Sequence, residues 1–305
     1  MARLSGVIAA AATPLSSDLG IDHERLAQHC RWLLGPGGCD GVNLLGTTGE
    51  ATSFSVEQRL GAMKAVATAG LPLDRFMVGT GASALADSVR LTIAAKELGF
   101  AGALLLPPFY YKGIDDESLS DFVEAVIARA GEGTHLYLYH IPQNTGVPFP
   151  IHVVERLCER NRGAIVGLKD SFGDLAYAAE LARRVPTIDV FPSSEGVLAT
   201  AERHGFAGCI SASVNVNGFL AQQAWRHRGD DIGRKAGEEA MAIRQALSKF
   251  PLVAAVKWTL ARIHGDEAWG AMHPPLRRLG PAESLELAAA LKTSALADRV
   301  AALRG

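Results

Sequence analysis

The chain has 305 residues, 48% of them hydrophobic and 20% charged, with a formal net charge of −2. That composition supplies a large core and argues against disorder, and without any Lys or Arg run it offers no footprint for nucleic acid or a membrane surface. Cys30, Cys39, Cys158 and Cys209 lie far apart, with no C-x-x-C spacing and no matching His cluster, which disfavours both a zinc site and a disulfide framework.

Val7 to Ala12 is the first apolar run, too short for the core of a secretory signal, and no apolar stretch reaches membrane-spanning length. A cytoplasmic protein with a small-molecule partner is the expectation. In chain order, short β-type runs at Gly6 to Ala12 and Gly41 to Leu45 precede an amphipathic stretch, Val56 to Ala69, whose start carries a capping-box pair, Ser55 and Gln58. A third strand, Phe76 to Gly79, leads to a helical pattern at Leu85 to Leu98. A fourth strand, Gly102 to Leu106, leads to one at Leu119 to Ala130. His135 to Tyr139 is followed by Pro150, which a first helical turn tolerates. Ile165 to Leu168 precedes the helical stretch Leu175 to Arg184, and strands at Ile188 to Phe191 and Gly208 to Ser211 complete a set of eight.

This alternation predicts an α/β protein, a closed (β/α)8 TIM barrel, and the lack of a Pro/Ser-rich linker disfavours a doubly wound sheet with a second domain. After Asn215 the pattern is helical through Ala301. It predicts a barrel over 1–230 and a C-terminal helical extension over 231–305 that serves packing and assembly. Barrels of this kind carry their reactive groups at the C-terminal ends of the strands.

Lys169 stands there, directly after the apolar run Ile165 to Leu168. Desolvation or a nearby cation would free its amine to attack a carbonyl; an ion pair with Asp170 is the structural alternative. Gly46-Thr47-Thr48-Gly49-Glu50 ends the second strand, where glycines, two hydroxyls and free N–H groups suit a carboxylate, or simply make a tight turn. Tyr139 opens Tyr139-His140-Ile141-Pro142-Gln143-Asn144-Thr145-Gly146. Its phenol is either a proton relay to a carbonyl oxygen or a buried hydroxyl bonded to backbone. The aromatic cluster Pro107 to Tyr111 ends the fourth strand and reads as packing.

Taken together, G-T-T-G-E, Y-x-x-P-x-x-T-G and G-x-K-D-S, in this order and over nearly the whole chain, resemble the dihydrodipicolinate synthase / N-acetylneuraminate lyase family of class I aldolases. The resemblance implies that Lys169 forms a Schiff base with pyruvate and that Tyr139 shuttles the accompanying proton. It implies that Thr47, Thr48 and Gly49 hold the pyruvate carboxylate, with Ile210 also at the site. It also implies that Tyr111 reaches into a neighbouring subunit of a homotetramer built from two tight dimers. No metal or organic cofactor is implied, because a protonated imine is itself the electron sink.

Departures bear on the substrate. Asn144 stands where dihydrodipicolinate synthases carry an arginine, and an amide cannot replace a guanidinium's cationic fork. Asn144 resembles instead the 4-hydroxy-2-oxoglutarate aldolases. Ser194 and Glu195 stand where relatives contact the hydroxylated part of a substrate, although a carboxylate there also suits a helix N-terminus. Phe172 occupies a place that is usually small. The expected activity is reversible cleavage of a 4-hydroxy-2-oxo acid or 2-oxo-3-deoxy sugar acid to pyruvate and an aldehyde. Dehydration or dihydrodipicolinate-type condensation through the same imine is one alternative, and a non-catalytic 2-oxo acid binding protein is another.

Overall fold

A computed structural model describes residues 3–297 and residue 299. Eight parallel strands, β1 (Gly6–Ala10), β2 (Gly41–Leu44), β3 (Phe76–Gly79), β4 (Gly102–Leu105), β5 (Leu136–His140), β6 (Ile165–Asp170), β7 (Asp189–Pro192) and β8 (Gly208–Ser211), pair in the order β7-β6-β5-β4-β3-β2-β1-β8. The seam between β7 and β8 closes through a parallel bridge of Val190 with Phe206 and a hydrogen bond from the Ala207 N–H to the Val190 carbonyl at 3.0 Å. The expected (β/α)8 barrel is therefore present, with β3 and β8 at their expected bounds and the ends of the other strands displaced by at most two residues.

The helices are α1 (His23–Leu34), α2 (Val56–Thr68), α3 (Leu85–Leu98), α4 (Asp116–Ala130), α5 (Pro142–Thr145), α6 (Ile151–Arg160), α7 (Leu175–Arg184), α8 (Ala201–His204), α9 (Val214–Arg226), α10 (Asp231–Ser248), α11 (Leu252–His264) and α12 (Pro281–Leu291). Ser55 and Gln58 form the reciprocal capping box that opens α2. Pro150 is the cap of α6, one residue ahead of its first turn. The helix α4 begins three residues before the expected Leu119, because the Asp115 carboxylate accepts the Ser118 N–H at 2.8 Å.

Strand side chains divide by parity. Ile8, Ala10, Met77, Leu104, Tyr137 and Phe191 fill the barrel interior, whereas Val42, Leu44, Leu105, Leu138 and Leu168 meet the helical ring.

One strand breaks that rhythm. Leu136 pairs with Ile165, but Tyr137 pairs with Gly167, so β6 carries one extra residue at this point. This bulge shifts the phase of everything after it: Leu168 turns outward and Lys169 turns into the barrel opposite Tyr139. Gly167 is needed there, because a Cβ would lie 2.4 Å from the Tyr137 ring and 2.8 Å from the Asp189 carbonyl oxygen.

The region after Asn215 is not uniformly helical. Between Ala271 and Gly280, where Pro274 and Pro275 withhold two N–H donors, the chain runs without helix before α12 begins at Pro281. The expected helix through Ala301 ends outside the described residues. The helices α10, α11 and α12 share a core with α9 around Val216, Ile243, Val256, Leu260, Trp269 and Leu287.

Candidate active site

At the C-terminal mouth of the barrel Lys169 is 3% and Tyr139 is 4% exposed. The Lys169 Nζ donates to the Tyr139 hydroxyl oxygen at 3.3 Å and lies 4.3 Å from the centre of its ring. Thr47 Oγ1 stands 3.2 Å from the same phenol oxygen, and Ser171 Oγ donates to it at 3.5 Å. Burial pushes the Tyr139 pKa upward, but the Lys169 charge and the bonds from Ser171, Thr47 and Lys169 outweigh it and leave the phenol below its usual range.

Among the described residues Lys169 makes no ion pair. The Asp170 carboxylate turns the other way and accepts the N–H groups of Phe172 at 3.0 Å and Gly173 at 3.2 Å. Burial, against those two bonds, raises the Asp170 pKa to about 6.

The loop after β2 supplies the neighbouring surface. Leu45 and Glu50, with φ of 54° and 56°, are left-handed and bracket Gly46 to Gly49. Among the described residues the N–H groups of Thr47, Thr48 and Gly49 donate no hydrogen bond within the chain, and Thr47 and Thr48 line the same cavity as Tyr139. Gly49 lies against Ala11 and Thr13, where a Cβ would come 2.9 Å from the Ala11 carbonyl oxygen.

A cavity of about 450 Å³ opens over these groups. Thr47, Thr48, Tyr139, Asn144, Lys169 and Ile210 line it together, and among the described residues no Asp or Glu side chain does. One part of its lining is largely apolar, built from Pro251, Leu252, Val253, Ala254, Met272 and Leu276, with Arg277 beside them.

Four expected positions lie off the cavity: Gly49, buried against Ala11 and Thr13, and then Glu195, Ser194 and Tyr111. Glu195 is fully buried and does not face the cavity: its carboxylate accepts Ser211 Oγ at 2.8 Å, Ser213 Oγ at 2.6 Å and Asn217 Nδ2 at 2.7 Å. Four partners, including Arg244 at 3.3 Å, draw it inward and away from the cavity, and at the same time it opens the short 3-10 helix Glu195–Thr200, the helix N-terminal place expected as its alternative. Ser194 turns to α10, where its hydroxyl meets the Met241 sulfur at 3.3 Å, and the neighbouring Ser193 lines the cavity instead. Tyr111 is 73% exposed and packs edge-on against Tyr110, away from Lys169 of its own chain. Phe172 is 55% exposed at the outer edge, its ring edge-on to His140.

Two groups were not singled out from the sequence. Arg244 of α10 lines the cavity while its Nη1 bonds Glu195, Ser211 and Ser213. Its signal was a charge at 244 on the buried stripe of Gly233, Gly237, Ala240 and Leu247. Lys257 of α11, fully buried, pairs with Glu50, and its signal was a lysine inside the apolar face of Ala254, Val256 and Leu260.

This chain matches the description of the dihydrodipicolinate synthetase family over residues 3–294. The chain belongs to that family. It is 34% identical to an uncharacterized DapA-like lyase of Chloroflexus aurantiacus over 85% of this chain and 88% of the relative. It is 29% identical to the N-acetylneuraminate lyase of Salmonella paratyphi B over 79% of this chain and 77% of that one. Among solved structures, the dihydrodipicolinate synthase of Agrobacterium tumefaciens superposes with a TM-score of 0.86 at 28% identity, covering 95% of this chain and 99% of the other.

Proposed function

We propose that the protein condenses the Lys169 amine with pyruvate or a related 2-oxo acid, and that it reversibly cleaves a 4-hydroxy-2-oxo acid or 2-oxo-3-deoxy sugar acid to pyruvate and an aldehyde. The reaction class, a Schiff-base pyruvate lyase or aldolase, goes with the family; the substrate is the proposed part. One observation carries the reading. A buried lysine without a carboxylate partner stands 3.3 Å from a phenol whose pKa is lowered, beside a loop with unspent donors.

In the cleavage direction the neutral Lys169 nitrogen attacks C2, and the carbonyl oxygen leaves as water with one proton from that nitrogen and one passed by Tyr139, which leaves the protonated imine. The protonated imine then takes the electron pair of the C3–C4 bond while the 4-hydroxyl proton goes to Tyr139, and the aldehyde departs. Protonation of the enamine at C3 and attack of water on the imine release pyruvate and the free amine. In this reading the donors of Thr47 and Thr48, with the Gly49 N–H behind them, receive the carboxylate, and Ile210, Asn144 and Arg244, which share the cavity lining, meet the rest of the substrate. The imine serves as electron sink, so the reaction calls for no cofactor.

We propose that Tyr111, 73% exposed, acts in the site of a neighbouring subunit, in a homotetramer in the cytoplasm. No described helix is long and apolar enough to cross a membrane. The test is a panel of 4-hydroxy-2-oxo and 3-deoxy sugar acids with lactate dehydrogenase as the coupling enzyme. Pyruvate release supports cleavage, an intact dehydrated carbon chain indicates a dehydratase using the same imine, and binding without turnover of any member indicates a retired enzyme.

A further inference from the structure

We infer that Glu50 is a positioning residue whose ion pair with Lys257 holds the Gly46 to Gly49 loop in the shape that receives the carboxylate of the 2-oxo acid. The inference rests on the pyruvate reading of the site and deepens it.

The loop has no regular structure of its own to fix it. It is closed by hydrogen bonds from the Glu50 N–H to the Thr47 carbonyl at 3.1 Å and from the Ala51 N–H to the Gly46 carbonyl at 3.2 Å. Both flanking residues, Leu45 and Glu50, hold a left-handed backbone that L side chains adopt rarely, so the surroundings must impose it. Leu45 is locked by core packing. Glu50 is locked by charge: one carboxylate oxygen pairs with the Lys257 Nζ, and the other accepts the His273 N–H at 2.9 Å.

Glu50 and Lys257 are both fully enclosed, 207 residues apart in sequence. The pair therefore ties the loop after β2 to α11, and His273 ties it to the helix-free segment before α12. Charge balance gives a second role. A lone carboxylate next to a loop that binds carboxylates would repel the substrate, and Lys257 cancels it.

A pair that only supports the fold would affect every ligand of Lys169 alike. A pair that shapes the carboxylate site affects only ligands that carry a carboxylate. The test uses the double variant Glu50→Gln with Lys257→Met, which removes both charges and leaves neither orphaned. The fraction of Lys169 trapped by borohydride is titrated against pyruvate and, separately, against acetone, a methyl ketone without a carboxylate.

The expected result is that half-trapping requires about tenfold more pyruvate or greater, the loss typical of weakened hydrogen bonds to a charged group, with the acetone curve unmoved. Parallel shifts for both ketones, or no shift for either, overturn the inference while leaving the pyruvate reading intact. No trapping in the wild-type protein overturns both. If circular dichroism shows that the double variant does not fold, Glu50→Asp, which withdraws the carboxylate by one methylene, is read by the same two curves.

Discussion

Lys169 owes its chemistry to what surrounds it more than to its position in a motif. An amine buried beside a phenol, with Asp170 turned to the Phe172 and Gly173 N–H groups, keeps its reactive direction toward the cavity. Replacing Tyr139 with Phe removes the proton relay and leaves the amine in place. We expect kcat to fall roughly 100-fold or more while borohydride still traps pyruvate; an unchanged kcat would exclude the relay. Much of this was readable in advance, because Lys169, Tyr139 and the paired threonines sit in short contiguous motifs. Glu195 was misplaced for a physical reason. Its four partners come from β8, α9 and α10 and are brought together only by the fold, and the same holds for Arg244 and Lys257.

At the scale of elements, all eight strands were legible from apolar runs bounded by turn residues, because burial on both faces makes such runs conspicuous. The facing of β6 was not. Simple alternation from Ile165 would point Lys169 at the helical ring, and only the bulge beside Gly167 turns it inward. Gly167→Ala forces a Cβ against the Tyr137 ring and the Asp189 carbonyl. We expect about 1–3 kcal/mol of lost stability in denaturant unfolding, together with slower trapping at Lys169. A variant with the wild-type unfolding midpoint and wild-type trapping would show that the strand accommodates the methyl and that Gly167 is not required to face the lysine inward. The segment from Ala271 to Gly280 departs from the helical pattern expected after Asn215, because its prolines and its tie to Glu50 interrupt it.

For the whole molecule, buried neutral histidines set the response to acid. Burial lowers the His29 pKa to about 3, against a partly offsetting bond with Asn215, and lowers that of His140 to about 4. The Asn215 oxygen already accepts the Ala12 N–H and faces His29 Nε2 at 2.9 Å, so protonating His29 Nδ1 adds a donor with no acceptor. Between the unfolded value of 6.5 and these folded values the unfolded chain binds more protons, and stability is lost as pH falls. Asp170, raised to about 6, acts in the opposite sense, stabilising the fold as pH drops below that value. Burial also lowers the His264 pKa and raises that of Asp189; three histidines oppose two carboxyls, so the urea midpoint should fall from pH 7 to pH 4.5, and His29→Gln should flatten that fall. A midpoint that stays level or rises on acidification would contradict the assignment.

The whole account turns on one covalent bond. Peptide mapping of the protein after borohydride reduction with pyruvate should locate a single adduct on Lys169, and the Lys169→Ala variant should carry none. An adduct on another lysine, or no adduct in the wild-type protein, would contradict it.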